Sequence, residues 1–286
     1  MHEYTSVKTN TIKKISVNGT ELNYLELGEG APLVFVHGSL GDLNTFSQQF
    51  KSFSERYHII AYSRRFHPPN QWGKNDKVYS MAQHVDDLAS LITNLKLNKV
   101  HLVASSYGAY ISIMLTLKYP SLVKTLVLGE PPMLPLLMNL PEGGSILSTF
   151  MQNVLEPCGK AFRNGDKEDG LRKFIDGIRA PSAFDQIPPD GRKELMKYAD
   201  AMSLEMLTDP EIYFINVKVT QLKDITVPAL LVNGEKSPVF LHKVIDILAA
   251  NLVNYQVTTI TNAGHSMYKD NPEEFNEKVL AFLSKY

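Results

Sequence analysis

The chain has 286 residues, 44% of them hydrophobic, so it can bury a large core and lies near the size at which a single core stops growing. Lys plus Arg number 29 against 30 Asp plus Glu, a net charge of -1 without a long basic run, which argues against nucleic acid as a partner. Met1 to Lys14 lack the apolar core of a signal peptide, no apolar run approaches membrane-spanning length, and the single cysteine, Cys158, excludes an intramolecular disulfide and cysteine-based metal sites. The expectation is a soluble cytoplasmic protein of one domain with a sizeable insertion, with no membrane partner and with Cys158 as an inert half-buried thiol.

Ile12 to Val17 and Leu22 to Leu27 flank Asn18-Gly19, a strong turn dipeptide, and predict an antiparallel hairpin at a sheet edge. Pro32 to Val36 is a continuous apolar run, the mark of a strand buried on both faces, and it ends at His37-Gly38-Ser39. A helix is expected over about residues 43 to 55, then a strand over Tyr57 to Tyr62. That strand empties into Ser63-Arg64-Arg65-Phe66-His67-Pro68-Pro69-Asn70. Arg64, Arg65 and His67 read either as pocket residues able to bind a substrate carboxylate or as a solvated charged loop.

Ser80 and Gln83 predict a capping box for a helix whose apolar residues recur from Val85 to Leu95. Val100 to Ala104 is the next buried strand, and Leu122 to Leu128 another, ending at Gly129-Glu130-Pro131-Pro132. From Met133 to Asp224 the pattern is helical, with no convincing strand. Six of the ten methionines fall there (Met133, Met138, Met151, Met196, Met202 and Met206), suited either to an adaptable apolar pocket or to ordinary helix packing. Strands resume at Val227 to Val232 and Tyr255 to Ile260. Ser237-Pro238 reads as an N-cap with proline in the first turn, and Asn271-Pro272 with Glu274 as the start of the closing helix. Strands alternating with helices around one helical stretch predict an α/β fold with a mainly parallel sheet, residues 1–132 and 225–286 forming the core and 133–224 a helical cap.

Between the strand ending at Ala104 and the helix beginning near Ala109 lies Ala104-Ser105-Ser106-Tyr107-Gly108. A serine on a sharp strand-to-helix turn holds its hydroxyl out of the sheet, with helix N–H groups behind it to receive negative charge. The usual Gly-x-Ser-x-Gly appears only as Ala-x-Ser-x-Gly, and such a stretch also serves as a plain connection, so the rest of the chain decides. Glu130 and His265, the latter within Asn262-Ala263-Gly264-His265-Ser266, follow other predicted strands on the same face. A serine needs a base to take its proton, and the base needs a carboxylate to fix its tautomer; each role has an occupant.

With the His-Gly after the third strand, the serine turn, the helical insertion and the late Gly-His, the sequence resembles the α/β-hydrolase superfamily over nearly its whole length. The resemblance implies an eight-stranded sheet with helices on both faces, Ser106 as nucleophile, His265 as base, and an oxyanion hole from the Ser39 and Tyr107 amides. His37 is expected to support the oxyanion loop. Many members carry the acid as Asp after the seventh strand, but that segment here is Gly234-Glu235-Lys236-Ser237. A family variation places the acid after the sixth strand, where Glu130 stands; Glu235 as a displaced acid is the alternative.

Dehalogenases and epoxide hydrolases of the superfamily use aspartate where this chain has Ser106, which favours acyl chemistry. The expected activity is cofactor-independent and metal-independent cleavage of an ester or lactone of a small, mostly apolar molecule, by a monomer or homodimer. The same triad also serves carbon–carbon bond hydrolysis, lyase or cofactorless oxygenase chemistry in the family, and the fold also occurs as a non-catalytic small-molecule receptor. The sequence leaves both open.

Overall fold

The structure, a computed structural model, describes residues 11–72 and 79–286. Most of the polar start noted above, residues 1–10, lies outside the described residues. An eight-stranded sheet runs in the order β1-β2-β4-β3-β5-β6-β7-β8. The strands are β1 (Lys13–Val17), β2 (Thr20–Leu27), β3 (Ala31–Val36), β4 (Tyr57–Tyr62), β5 (Val100–Ser105), β6 (Val123–Gly129), β7 (Ala229–Gly234) and β8 (Tyr255–Ile260). The first two pair antiparallel, β2 joins β4 antiparallel, and every other pairing is parallel. The hairpin turn at Asn18-Gly19 has positive φ at both residues (41° and 76°), which fits an asparagine-glycine pair.

Side chains alternate across a strand, so the continuous apolar runs feed two cores. Val34 and Val36 of β3, with Leu102 and Ala104 of β5, pack toward α2 (Met81–Asn94), α3 (Tyr107–Lys118) and α10 (Val239–Asn251). Leu33 and Phe35, with Val103, pack the other way, against α1 (Ser47–Ser54) and α12 (Pro272–Leu283), through Phe46, Phe50, Phe53, Phe275 and Phe282. Each such fully buried Val, Leu or Phe contributes about 1.5–3 kcal/mol from desolvation.

Between β6 and β7 the described chain holds no strand. It contains α4 (Gly143–Phe150), a π-helical turn at Met151–Leu155, α5 (Glu156–Arg163), α6 (Lys167–Ile178), α7 (Pro189–Leu195), α8 (Ala199–Leu207) and α9 (Pro210–Tyr213). Their own small core gathers Cys158, Phe162, Leu171, Phe174, Phe184 and Met202. Cys158 is fully buried rather than half-buried, its Sγ donating to the Gly170 carbonyl at 3.2 Å, and burial pushes the thiol up to about 12. After β8, α11 (Met267–Asp270) precedes α12.

Several local expectations need correction. Ser80 accepts from the Gln83 amide, but Gln83 Oε1 has no partner, so the cap is one-sided. Ser237 does not cap α10: Pro238 occupies that position, the helix starts at Val239, and the Ser237 hydroxyl finds no hydrogen-bond partner. Proline carries no N–H, and its fixed φ sets the entry to the helix without a side-chain cap. No helix of the described residues is long and apolar enough to cross a membrane.

Candidate active site

Ser106 follows β5 directly and precedes α3 with φ 55° and ψ -130°, a conformation that non-glycine residues rarely adopt. Its amide continues the β5–β6 ladder by donating to the Gly129 carbonyl at 2.7 Å, which fixes the turn relative to the sheet. Ala109 and Tyr110 amides donate to the Ser106 carbonyl, leaving the Tyr107 amide at the helix N-terminus without an intrahelical acceptor. The turn is tight because glycines surround it. A Cβ on Gly38 would lie 2.9 Å from Ser106 Cβ, and one on Gly108 would lie 2.2 Å from the Val36 carbonyl oxygen. No hydrogen bond joins Ser106 Oγ to His265; both side chains line the same cavities.

Glu130 is the first residue after β6 and also has positive φ, 45°. It is fully buried, and both carboxylate oxygens are engaged: Oε2 with His265 Nδ1 at 2.7 Å, Oε1 with the Gly234 amide at 2.7 Å. The strand order explains the reach, since β7, which ends at Gly234, lies between the strands that precede Glu130 and His265. A carboxylate on Nδ1 holds the Nδ1–H tautomer and leaves Nε2 as the proton acceptor. Glu235 is instead exposed and accepts from the Asn262 amide. The structure therefore brings Glu130, and not Glu235, to His265.

The loop of Gly38 and Ser39 is held from below. Arg64 is buried, its Nε donating to the His37 carbonyl at 3.1 Å and its Nη2 to the Gly38 carbonyl at 3.0 Å. His37 Nε2 accepts from the Arg64 amide, so its Nδ1 carries the proton that meets the same Gly38 carbonyl at 2.8 Å. In a trans peptide the N–H points opposite the C=O, so two donors on the Gly38 carbonyl turn the Ser39 N–H to the other side. Burial, reinforced by His67 and Arg64, drives the His37 pKa well below the ordinary histidine range.

Glu205 of α8 completes this network: its Oε1 takes bonds from Arg64 Nη2 at 3.1 Å and the Tyr79 hydroxyl at 2.6 Å, and lies 3.5 Å from His67 Nε2. Burial alone would raise the Glu205 carboxyl, but His67 and the Arg64 guanidinium outweigh it and hold it at about 2. Arg65 makes a two-pronged pair with Asp87 at 2.7 and 2.8 Å. Arg64, Arg65 and His67 are thus neither pocket residues nor a solvated loop. Glu205, Tyr79 and Asp87 were not singled out in the sequence. For Glu205 a signal existed, because Ala199, Met202 and Glu205 recur at helical spacing and all are buried, so a charge sits on an apolar face.

Two connected cavities meet at Ser39, Ser106, Phe174, Ile178 and His265. The inner one is walled by apolar side chains including Leu134, Phe150, Leu155, Met206, Phe214 and Phe240. The outer one is lined by side chains of α6, α7 and α11. Of the six methionines noted above, only Met206 reaches the inner wall; Met133 and Met202 are core, and Met138 and Met196 are exposed.

Comparison with known proteins follows the same lines. A family model described as alpha/beta hydrolase fold matches residues 31–272. Epoxide hydrolase 3 of Mus musculus is 24% identical over 96% of this chain and 76% of its own length. The 2-(acetamidomethylene)succinate hydrolase of Mesorhizobium japonicum is 26% identical over 95% of this chain and 94% of its own. Among solved structures, Est816, an N-acyl homoserine lactone degrading enzyme, superposes with a TM-score of 0.74 at 24% identity, covering 94% of this chain and 100% of that one. The sheet order, the residues at its strand ends and the span of the family match together place the chain in the α/β-hydrolase family.

Proposed function

We propose that the protein is a cofactor-independent serine hydrolase of small, mostly apolar esters or lactones. The observation that carries this reading is the buried Glu130 carboxylate, bonded to His265 Nδ1 and to the Gly234 amide, with His265 and Ser106 lining one cavity. Ser106 Oγ attacks the carbonyl as His265 Nε2 takes its proton, and Glu130 stabilises the imidazolium. The Ser39 and Tyr107 amides receive the oxyanion, each such donor being worth about 2.7–4 kcal/mol in the barrier. His265 then protonates the leaving oxygen, water attacks the acyl-enzyme with His265 as base, and the acid departs, so one water is consumed per ester cleaved. The helices between β6 and β7 act as a cap that forms the inner wall. The epoxide hydrolase among the relatives does not transfer its chemistry, since epoxide hydrolases of this family use an aspartate where Ser106 stands.

The test is the intact mass of the protein after a fluorophosphonate probe, followed by an ester and lactone panel. One adduct on the wild type that is absent from Ser106→Ala, together with turnover lost in the same variant, is expected. Full turnover by Ser106→Ala, or a folded wild type that takes no adduct and cleaves nothing, sinks the reading.

A further inference from the structure

The outer cavity differs from the inner one in its charges. Among its lining residues the only fixed charges are Arg179 and Lys269; no carboxylate faces it. Arg179 follows the last residue of α6, and its Nη2 donates to Ser266 Oγ at 2.9 Å, one residue from His265. Lys269 lies on α11, whose first turn is closed by the Lys269 amide donating to the Ser266 carbonyl. Both cations are therefore tied to the short segment that carries the candidate base. Neither has a carboxylate within 4 Å among the described residues, although other cations nearby do, such as Lys197 with Asp42 at 3.2 Å.

The acids close to this rim are already engaged. Asp42 accepts from Lys197, the Tyr198 hydroxyl and the Asn44 amide, and Asp270 accepts from the Gly264 amide. A guanidinium with free donors and an ammonium at one cavity mouth offer charge-assisted hydrogen bonds to a carboxylate.

We propose that the substrate carries a carboxylate that binds between Arg179 and Lys269, while its apolar part fills the inner cavity and its scissile carbonyl lies at Ser106. This rests on the serine hydrolase reading of the same site. It sets the substrate class as an ester or lactone that is apolar on one side of the carbonyl and anionic on the other. Electrostatic steering toward the mouth then adds a rate advantage for the anion that salt weakens.

A matched pair of esters separates charge from size: 4-carboxyphenyl butanoate and 4-carbamoylphenyl butanoate. The ratio of their kcat/KM values is measured for the wild type, for Arg179→Met with Lys269→Met, and for Arg179→Lys. Because the ratio is internal to each protein, a general loss of activity cancels. The wild type is expected to favour the carboxylate by about tenfold or more, with the preference collapsing toward unity in the double variant, shrinking in 1 M salt and surviving in part in Arg179→Lys. A wild-type ratio near one, or one unchanged by the double substitution, overturns the subsite. If neither ester is cleaved and no fluorophosphonate adduct forms, the hydrolase reading is what has failed. The subsite is then judged by calorimetry with 4-phenylbutyrate and its amide. Binding of the acid alone, lost in the double variant, supports it, and equal or no binding of the two ends it.

Discussion

Two glutamates in this molecule are withdrawn from solvent, and they are kept there by different partners. Glu130, at the end of β6, faces an imidazole and a backbone amide. Glu205, on α8, faces a guanidinium and a tyrosine hydroxyl. The guanidinium is always charged, so the Arg64–Glu205 pair is a permanent ion pair that ties the helical stretch to the loop of Gly38 and Ser39. The imidazole carries charge only when both of its nitrogens hold a proton, so the countercharge that Glu130 meets is conditional. One carboxylate ties two segments together, and the other, in the proposed mechanism, responds to a proton transfer.

Exchanging each carboxylate for its amide separates the two roles. Glu130→Gln removes the negative charge and presents an amide to His265 Nδ1, favouring the wrong tautomer. The expected fall in kcat on a cleaved ester is about 10⁴-fold, with the circular dichroism spectrum retained. A loss below about tenfold means that another acid serves His265, with Glu235 the first to replace. Glu205→Gln acts on stability instead. It leaves Arg64 buried without its countercharge, at a cost of about 3–5 kcal/mol in urea unfolding. Replacing both Arg64 and Glu205 by Met returns much of that, because no charge is then buried alone. A Glu205→Gln protein as stable as the wild type means that the pair contributes nothing net.

The contrast also marks what the sequence discloses. Ser106, Glu130 and His265 each stand just past a run that announces a strand, so local pattern locates them, and the parallel sheet order does the rest. Glu205 lies 141 positions from Arg64, and no local motif links them. The Arg64–His67 segment has the composition of a solvated loop, and only the packing of α8 and Tyr79 over it makes it interior. Arg179 is similar: it closes an ordinary helix, and its place at the cavity mouth depends on where α6 lies over the sheet. The Ser237 reading failed for a different reason, since a serine before proline satisfies the cap pattern while the chain enters the helix one residue later.

The surroundings of the two glutamates also differ in how they meet acid. His37, His67 and His84 crowd around Arg64, and burial together with that cation depresses all three, His67 to about 4. His101, buried on β5 and bonded to Thr125 of β6, is likewise held at about 4 by burial. In the unfolded chain these histidines protonate near the usual histidine value, about 6.5, whereas the folded protein keeps them neutral until much lower pH. Between about pH 6.5 and 4 the unfolded state therefore binds more protons, and stability falls as pH falls. Each histidine contributes about 1.4 kcal/mol per pH unit across that window. The depressed Glu205 carboxyl has the same sign at lower pH: its contribution is whole above the ordinary carboxylate range and drains away as pH drops toward about 2. Urea unfolding measured at intervals from pH 7.5 to 4.5 should give an uptake of close to four protons on unfolding near pH 5, reduced by about one in His84→Phe. A flat stability curve over that interval would mean that the histidines around Arg64 titrate normally, and the rigid support assigned to the Gly38 and Ser39 loop would lose its physical basis.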